Sequence, residues 1–246
     1  MNRTLVKRTA QVVFCAIIGW LVVPGIGPDV FTLEESLGWK VGPDDWRGPL
    51  SRVPSYQIND AELAALLDTI PTRTTTNAPK YQRSDFGPAW SDVDHNGCDT
   101  RNDILTRDLQ HLTYKNGTHN CVVTHGDFIE PYTGLHTEFQ RGRETSALVQ
   151  IDHVVALADA WQSGAWTWTA AKREQFANDP LNLLAVDADQ NQEKGAAHAG
   201  QWLPENRSFH CAYVTRQVDV KAKWGLSMTQ RERATIERIL SACSKQ

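Results

Sequence analysis

The cysteine pattern is the feature that most constrains the fold of this 246-residue chain. One of the five cysteines, Cys15, lies in an apolar N-terminal run, which leaves Cys98, Cys121, Cys211 and Cys243 for the folded part. These four lack the C-x-x-C spacing of a zinc site, so we expect two disulfides and an oxidising compartment. Three pairings are possible. We favour Cys98–Cys121 with Cys211–Cys243, because each pair closes a short local loop.

The N-terminus has the composition of an export signal. Three basic residues, Arg3, Lys7 and Arg8, precede an apolar stretch over 12–23, and Pro24 ends it. A run of this length fits the hydrophobic region of a signal peptide and is short for a membrane span. No clean A-x-A cleavage motif follows, so residues 1–23 are expected to be a signal peptide or an uncleaved N-terminal anchor. We therefore expect a protein that is secreted or anchored at the outer face of the cell membrane.

The remainder of the chain divides into a linker and a folded domain. Residues 24–57 are rich in Pro, Gly and Asp, 60–70 have apolar residues at helical spacing, and 71–80 resemble a loop in composition. Residues 24–80 are therefore predicted to be a linker with a short helix, and 81–246 to be the domain. The chain is 41% hydrophobic and has nine tryptophans, which is enough for a real core.

Helices and strands of the domain are predicted from apolar periodicity and capping residues. Helices are expected over 100–111, over 170–177 after Thr169, from Asp187 to Gly195, and from Thr229 onward. Strands are expected over 120–124, 146–156 and 183–186. Because the order has no regular βαβ alternation, we predict an α+β fold.

The net charge of −4 argues at first against a nucleic-acid partner. The charge is uneven, however. Residues 28–100 carry 12 acidic against 6 basic residues, whereas residues 207–246 carry 8 basic against 3 acidic residues. The overall value therefore hides a basic C-terminal end.

The residues most suggestive of chemistry lie between 149 and 195. Asp152 and His153 are adjacent in a predicted strand, Asn182 precedes the next strand, and Asn191 lies on the helix that follows. Side chains alternate along a strand, so Asp152 and His153 would flank a site from two sides. The oxygens of Asp152 and Asn191 suit Mg²⁺, Mn²⁺ or Ca²⁺. A neutral His153 could activate water, and Asn182 could fix its imidazole through a carbonyl. Together these groups favour phosphodiester hydrolysis.

This pattern resembles the HNH (ββα-metal) endonucleases through IDHVV, PLNLLAV and NQEKG. Longer segments resemble the secreted HNH-family endonucleases, which are related to the C-terminal domain of GmrSD-type restriction enzymes. These segments are FGPAWSDVDHNGCDTRNDILTRDL, PYTG, VQIDHVVALADAW, ANDPLNLLAV and WLPENRSFHCAYVTRQVDVK. The similarity covers about residues 81–243. It implies a hairpin-and-helix ββα-metal core with additional helices, braced here by the two disulfides rather than by a zinc knuckle.

The resemblance also implies a role for each matched residue. His153 matches the general base, Asn182 the central Asn that orients the base, and Asp152 and Asn191 the two metal ligands. Asn191 departs from the type pattern, which has His at that position. The implied activity is an extracellular DNA endonuclease of low sequence specificity, with RNA as an alternative substrate. The implied metal is Mg²⁺, with Mn²⁺ or Ca²⁺ as alternatives.

Two basic residues are candidates for substrate binding. Arg101 and Lys194 could each clamp a phosphate or could simply belong to a solvated helix face. We expect a monomer, with a membrane tether through residues 1–23 if that segment is not cleaved. The alternative function is a non-catalytic cell-envelope binding module that retains the HNH fold. The complete set of Asp152, His153, Asn182 and Asn191 argues against it.

Overall fold

The structure, a computed structural model, describes residues 58, 60–75 and 77–243. All of them belong to one compact unit spanning Tyr56–Gln246. The predicted signal or anchor over 1–23 and the predicted linker over 24–57 lie outside the described residues. Among the helices in the described part of the chain, none is long and apolar enough to cross a membrane.

The described chain is a mixed α and β structure, which confirms the predicted α+β class. Its helices are α1 (Ala61–Asp68), α2 (Thr100–Asp108), α3 (Leu157–Gln162), α4 (Ala170–Ala177), α5 (Ala188–Lys194), α6 (His210–Trp224) and α7 (Gln230–Ala242). Its strands are β1 (Thr72–Arg73), β2 (Gln110–Tyr114), β3 (Val123–Ile129), β4 (His136–Gln140), β5 (Val149–His153), β6 (Leu183–Asp187) and β7 (Met228–Thr229).

Three small sheets hold the strands. Strands β2, β3 and β4 form an antiparallel sheet, β5 and β6 form an antiparallel hairpin, and β1 pairs with β7 in parallel. Short 3₁₀ turns over Arg83–Phe86, Ala165–Thr167, Pro180–Asn182 and Arg207–Phe209 connect them. Helix α5 follows β6 directly in the chain, so the hairpin and this helix form one continuous unit.

The helix ends that carry capping residues were predicted well. The Thr169 side chain accepts a hydrogen bond from the Lys172 amide at the start of α4. At the start of α7, Thr229 and Glu232 form a complete capping box. Helix α5 ends at Gly195, whose positive φ of 52° suits a residue without a side chain. Local hydrogen bonds determine these ends, which is why the sequence alone reveals them.

Other elements differ from the prediction. The predicted strand over 146–156 ends at His153, and α3 begins four residues later at Leu157. Helix α6, the longest in the described part, was not predicted. Its buried face includes the polar residues Gln217 and Lys221, which interrupt the apolar stripe that would have identified it.

The predicted domain boundary near Tyr81 is wrong. Leu67 at the end of α1 and Ile70 just after it are buried in the core that also contains Tyr213 of α6. Arg73 of β1 forms an ion pair with Asp159 of α3, at 2.9 Å. The segment from α1 through β1 is therefore part of the folded unit and not a linker.

Both predicted disulfides are present, with the predicted pairing. Cys98–Cys121 joins the turn before α2 to the segment before β3, and Cys211–Cys243 joins the first turn of α6 to the end of α7. Each bridge closes a loop between neighbouring elements, which lowers the conformational entropy of the unfolded chain.

A buried ion cluster connects three of the helices. The Lys221 ammonium of α6 lies 2.8 Å from an Asp159 oxygen of α3 and 2.6 Å from a Glu232 oxygen of α7. All three side chains are almost inaccessible to solvent, and Arg73 supplies the second positive charge. The cluster is thus balanced, with two cations and two carboxylates, as burial of charge requires.

Replacing Lys221 should therefore destabilise the fold strongly. Lys221→Met leaves two buried carboxylates with one cation, and we expect a loss of about 3–5 kcal/mol in the free energy of unfolding. Urea unfolding followed by circular dichroism measures it. Lys223→Met is the matched control, because that side chain is half exposed and its pair with Asp179 should contribute no more than about 1 kcal/mol. Equal losses in the two variants would contradict the assignment.

Candidate active site

The β5–β6 hairpin and α5 bring three of the four predicted catalytic and metal-binding residues to one cavity. In the hairpin, His153 pairs with Leu183 and Asp152 with Leu184. Asp152, His153 and Asn191 of α5 line an open cavity of about 400 Å³. The fourth, Asn182, ends the 3₁₀ turn just before β6 and is fully buried.

The His153 ring is held in one tautomer. Its Nε2 lies 2.8 Å from the carbonyl oxygen of Ala177, and because a carbonyl can only accept, Nε2 carries the proton. In the neutral ring Nδ1 then keeps its lone pair, and no hydrogen bond to Nδ1 is found within the described residues. The Trp90 ring lies nearly parallel to the imidazole, with centroids 6.0 Å apart and planes at 13°.

Burial keeps the His153 imidazole neutral. Desolvation is the main cause that lowers its pKa from 6.5 to about 4, and the positive charge of Arg83 adds to the effect. At neutral pH the ring is therefore unprotonated at Nδ1 and available as a base.

Asn182 acts on the backbone and not on the imidazole. Its side-chain oxygen accepts a hydrogen bond from the Val155 amide at 2.8 Å, and its side-chain nitrogen donates a hydrogen bond to the Val155 carbonyl at 3.1 Å. Its own carbonyl accepts from the Val154 amide. The expectation that an Asn182 carbonyl fixes the ring is thus wrong, because Ala177 takes that place. Asn182 instead fixes the chain immediately after His153.

Both oxygens of Asp152 accept hydrogen bonds from buried groups. The Lys194 ammonium lies 2.9 Å from Oδ1, and the Tyr132 hydroxyl donates to Oδ2 at 2.5 Å. Burial, with the charge of Asp152, raises the pKa of Tyr132 well above its usual value, so the hydroxyl stays a donor. Each carboxylate oxygen has about two acceptor positions, so each retains one.

Asn191 presents its oxygen without a competing partner. Its side-chain nitrogen donates to the Gln150 side-chain oxygen at 2.7 Å, which orients the amide. Its Oδ1 accepts no hydrogen bond from the described residues. Asp152 and Asn191 therefore offer one carboxylate and one amide oxygen, the donor chemistry that Mg²⁺ or Mn²⁺ takes when it keeps several waters. No cluster of three or more His, Cys, Asp or Glu side chains that could hold a metal occurs in the described part of the chain.

Neither of the predicted phosphate-binding residues lies at the cavity. Lys194 is buried, and its ammonium donates to Asp152 and to the His153 carbonyl. The Arg101 guanidinium donates to the carbonyls of Ser146 and Val149, which holds the start of β5. Their hydrogen bonds support structural roles for both, and substrate contact by either is not supported by this geometry.

Several side chains that line the cavity or contact Asp152 were not predicted from the sequence. Tyr132 belongs to the PYTG motif but had no chemical role assigned, since its partner Asp152 lies 20 residues away. Gln150 could have been found, because it lies two residues before Asp152 and so on the same face of β5. Trp90 and Arg83 come from a distant segment and carry no local signal of their position.

Comparison with known proteins identifies the chain's relatives. The family model for the C-terminal domain of GmrSD restriction endonucleases matches residues 99–238. An uncharacterized secreted protein of Arthroderma benhamiae is 33% identical over 181 residues, which cover 73% of this chain and 83% of that protein. No solved structure matches.

The state of His153 can be tested by nuclear magnetic resonance. Long-range ¹H–¹⁵N spectra should show the proton on Nε2 at pH 7 and a titration midpoint near 4. The unfolded chain takes up this proton near pH 6.5, so His153 should lower the free energy of unfolding progressively as the pH falls from 6.5 to about 4. A midpoint near 6.5 or a proton on Nδ1 would contradict the assignment.

Proposed function

Because the chain belongs to the family of GmrSD restriction endonuclease C-terminal domains, we propose that it is an extracellular HNH-type nuclease that hydrolyses DNA phosphodiester bonds. The observation that carries this proposal is the state of the His153 ring. The ring is neutral, its Nε2 donates a hydrogen bond to Ala177, and its Nδ1 has no partner among the described residues. His153 lines the same cavity as Asp152 and Asn191. Two disulfides support an extracellular location. A secreted relative supports it further.

In the proposed reaction His153 is the general base. Nδ1 takes a proton from water, the water oxygen bonds to phosphorus, and the bond from phosphorus to the 3′ oxygen breaks. The Ala177 carbonyl continues to accept from Nε2, so the imidazolium keeps one hydrogen bond while it is charged. The negative phosphodiester would raise the pKa of the buried ring when it binds, which strengthens the base when it is needed.

A divalent cation completes the proposal. Asp152 and Asn191 would hold it, and it would supply positive charge to the phosphoryl and leaving oxygens. Lys194 and Tyr132 orient the Asp152 carboxylate for this purpose, and Gln150 orients the Asn191 amide. The low number of protein ligands favours Mg²⁺ or Mn²⁺ with a largely retained water shell. Monomeric state and activity on RNA remain predictions.

Removal of the base should abolish cleavage. We expect His153→Ala to reduce the rate of nicking of supercoiled plasmid by at least about 100-fold, the usual contribution of a general base. His125→Ala is the matched control, since that residue lies on β3 and does not line the cavity. Thermal unfolding of both variants shows whether the fold is intact. A folded His153→Ala protein that cuts at the wild-type rate would exclude the mechanism, and a wild-type protein that binds DNA without cutting it would favour a binding module.

Cation binding can be measured apart from activity. The electron paramagnetic resonance signal of free Mn²⁺ should decrease as the ion binds to the protein. Asp152→Asn and Asn191→Ala should each lower the affinity for Mn²⁺ about tenfold or more. Asp189→Asn is the control on the same helix, because that carboxylate is exposed and does not line the cavity. EDTA should also stop plasmid cleavage. Unchanged Mn²⁺ affinity in the two site variants would remove these residues as ligands.

A further inference from the structure

The cavity beside His153 contains a positive charge that no carboxylate of the described residues neutralises. Of the described residues that line it, Arg83 and Asp152 alone carry formal charges. The charge of Asp152 is balanced by the buried Lys194 ammonium at 2.9 Å. Arg83 therefore makes the cavity locally cationic, although the chain as a whole carries −4.

Arg83 differs from the arginines that stabilise the fold. Arg101 donates to two backbone carbonyls, and Arg173 donates to the carbonyls of Asp85 and Trp168. The Arg83 guanidinium is exposed and, within the described part of the chain, makes no ion pair or hydrogen bond. All five of its N–H donors are therefore available to a ligand.

The backbone that carries Arg83 is fixed although its side chain is exposed. Arg83 begins a 3₁₀ turn that ends at Phe86, and Phe86 is buried against Trp161 and Phe176. The carbonyl of Asp85 in the same turn accepts from Arg173 at 2.7 Å. A rigid turn thus presents a free guanidinium at the cavity, and little entropy is lost from the backbone when a ligand binds.

Arg83 also lies near the proposed base and beside aromatic rings. Its charge is close enough to His153 to affect that imidazole, and Tyr81 and Trp90 line the same cavity. Trp90 has a φ of +60°, which is unusual for a residue with a side chain, and its ring lies nearly parallel to the imidazole. The cavity therefore combines a free planar cation, aromatic walls and a base.

We propose that Arg83 binds a phosphate of the nucleic-acid strand beside His153, in the role that the sequence had suggested for Arg101 and Lys194. This inference rests on the proposed nuclease function and deepens it. A planar guanidinium with two parallel N–H groups matches two phosphate oxygens, and a lysine in its place would offer only a point charge. Arg83 then supplies the positive charge for binding, whereas Lys194 and Arg101 hold the protein's own structure.

Salt-dependent DNA binding tests this inference. The measurement is the fluorescence anisotropy of a labelled 20-base-pair duplex between 50 and 200 mM salt, made in a His153→Ala background so that no cleavage occurs. Arg83→Gln should weaken DNA binding several-fold. It should also reduce the slope of the logarithm of the binding constant against the logarithm of the salt concentration by about 1, because one phosphate contact is lost. Arg83→Lys should keep most of the slope.

Arg238→Gln is the control with the same change of charge. Arg238 is exposed on α7 and does not line the cavity, so its removal should leave the slope unchanged. Plasmid cleavage by the wild-type protein is assayed in parallel. If the wild type cuts DNA and Arg83→Gln has the same slope as Arg238→Gln, the inference is wrong and the nuclease function stands. If the wild type neither binds nor cuts DNA, the nuclease function is wrong and the inference falls with it.

Discussion

The buried Lys194 ammonium is the contact on which the geometry of the candidate site depends. It joins the last turn of α5 to two points on β5, the Asp152 carboxylate and the His153 carbonyl. A buried cation must keep its partners, since leaving it unpaired would cost several kcal/mol. Helix α5 is therefore fixed on the hairpin in one register. Asn191, one turn before Lys194, is brought next to Gln150 by the same constraint.

Burial has opposite consequences for the two neighbouring residues of β5. The Asp152 carboxylate accepts hydrogen bonds from Lys194 and Tyr132, whereas the His153 ring has no charged partner among the described residues and burial lowers its pKa. One strand end thus presents a hydrogen-bonded carboxylate and a neutral imidazole side by side. The difference between the two side chains depends on the partners that surround each of them, and not on the residue types alone.

Sequence reasoning succeeded where the determining interactions are local. The caps of α4 and α7, the glycine end of α5 and the two disulfide loops involve residues close in the chain or a simple rule of pairing. It failed where a polar side chain is buried. Gln217 and Lys221 interrupt the apolar pattern of α6. Lys194, which was expected to bind a phosphate or to lie on a solvated helix face, is buried instead. Burial of such residues depends on partners from distant segments, which no single stretch of sequence reveals.

The net charge of −4 does not by itself exclude the proposed nucleic-acid substrate. A site needs positive potential only where the phosphate lies, and there the relevant charges are those not already neutralised by the protein itself. Lys194, Lys221 and Arg73 are all paired with carboxylates and contribute little to the field in the cavity. The exposed Arg83 guanidinium has no carboxylate partner among the described residues, so its charge is available to a phosphate at the cavity. The acidic average is thus compatible with a polyanionic substrate, provided that the free cation stands beside the base.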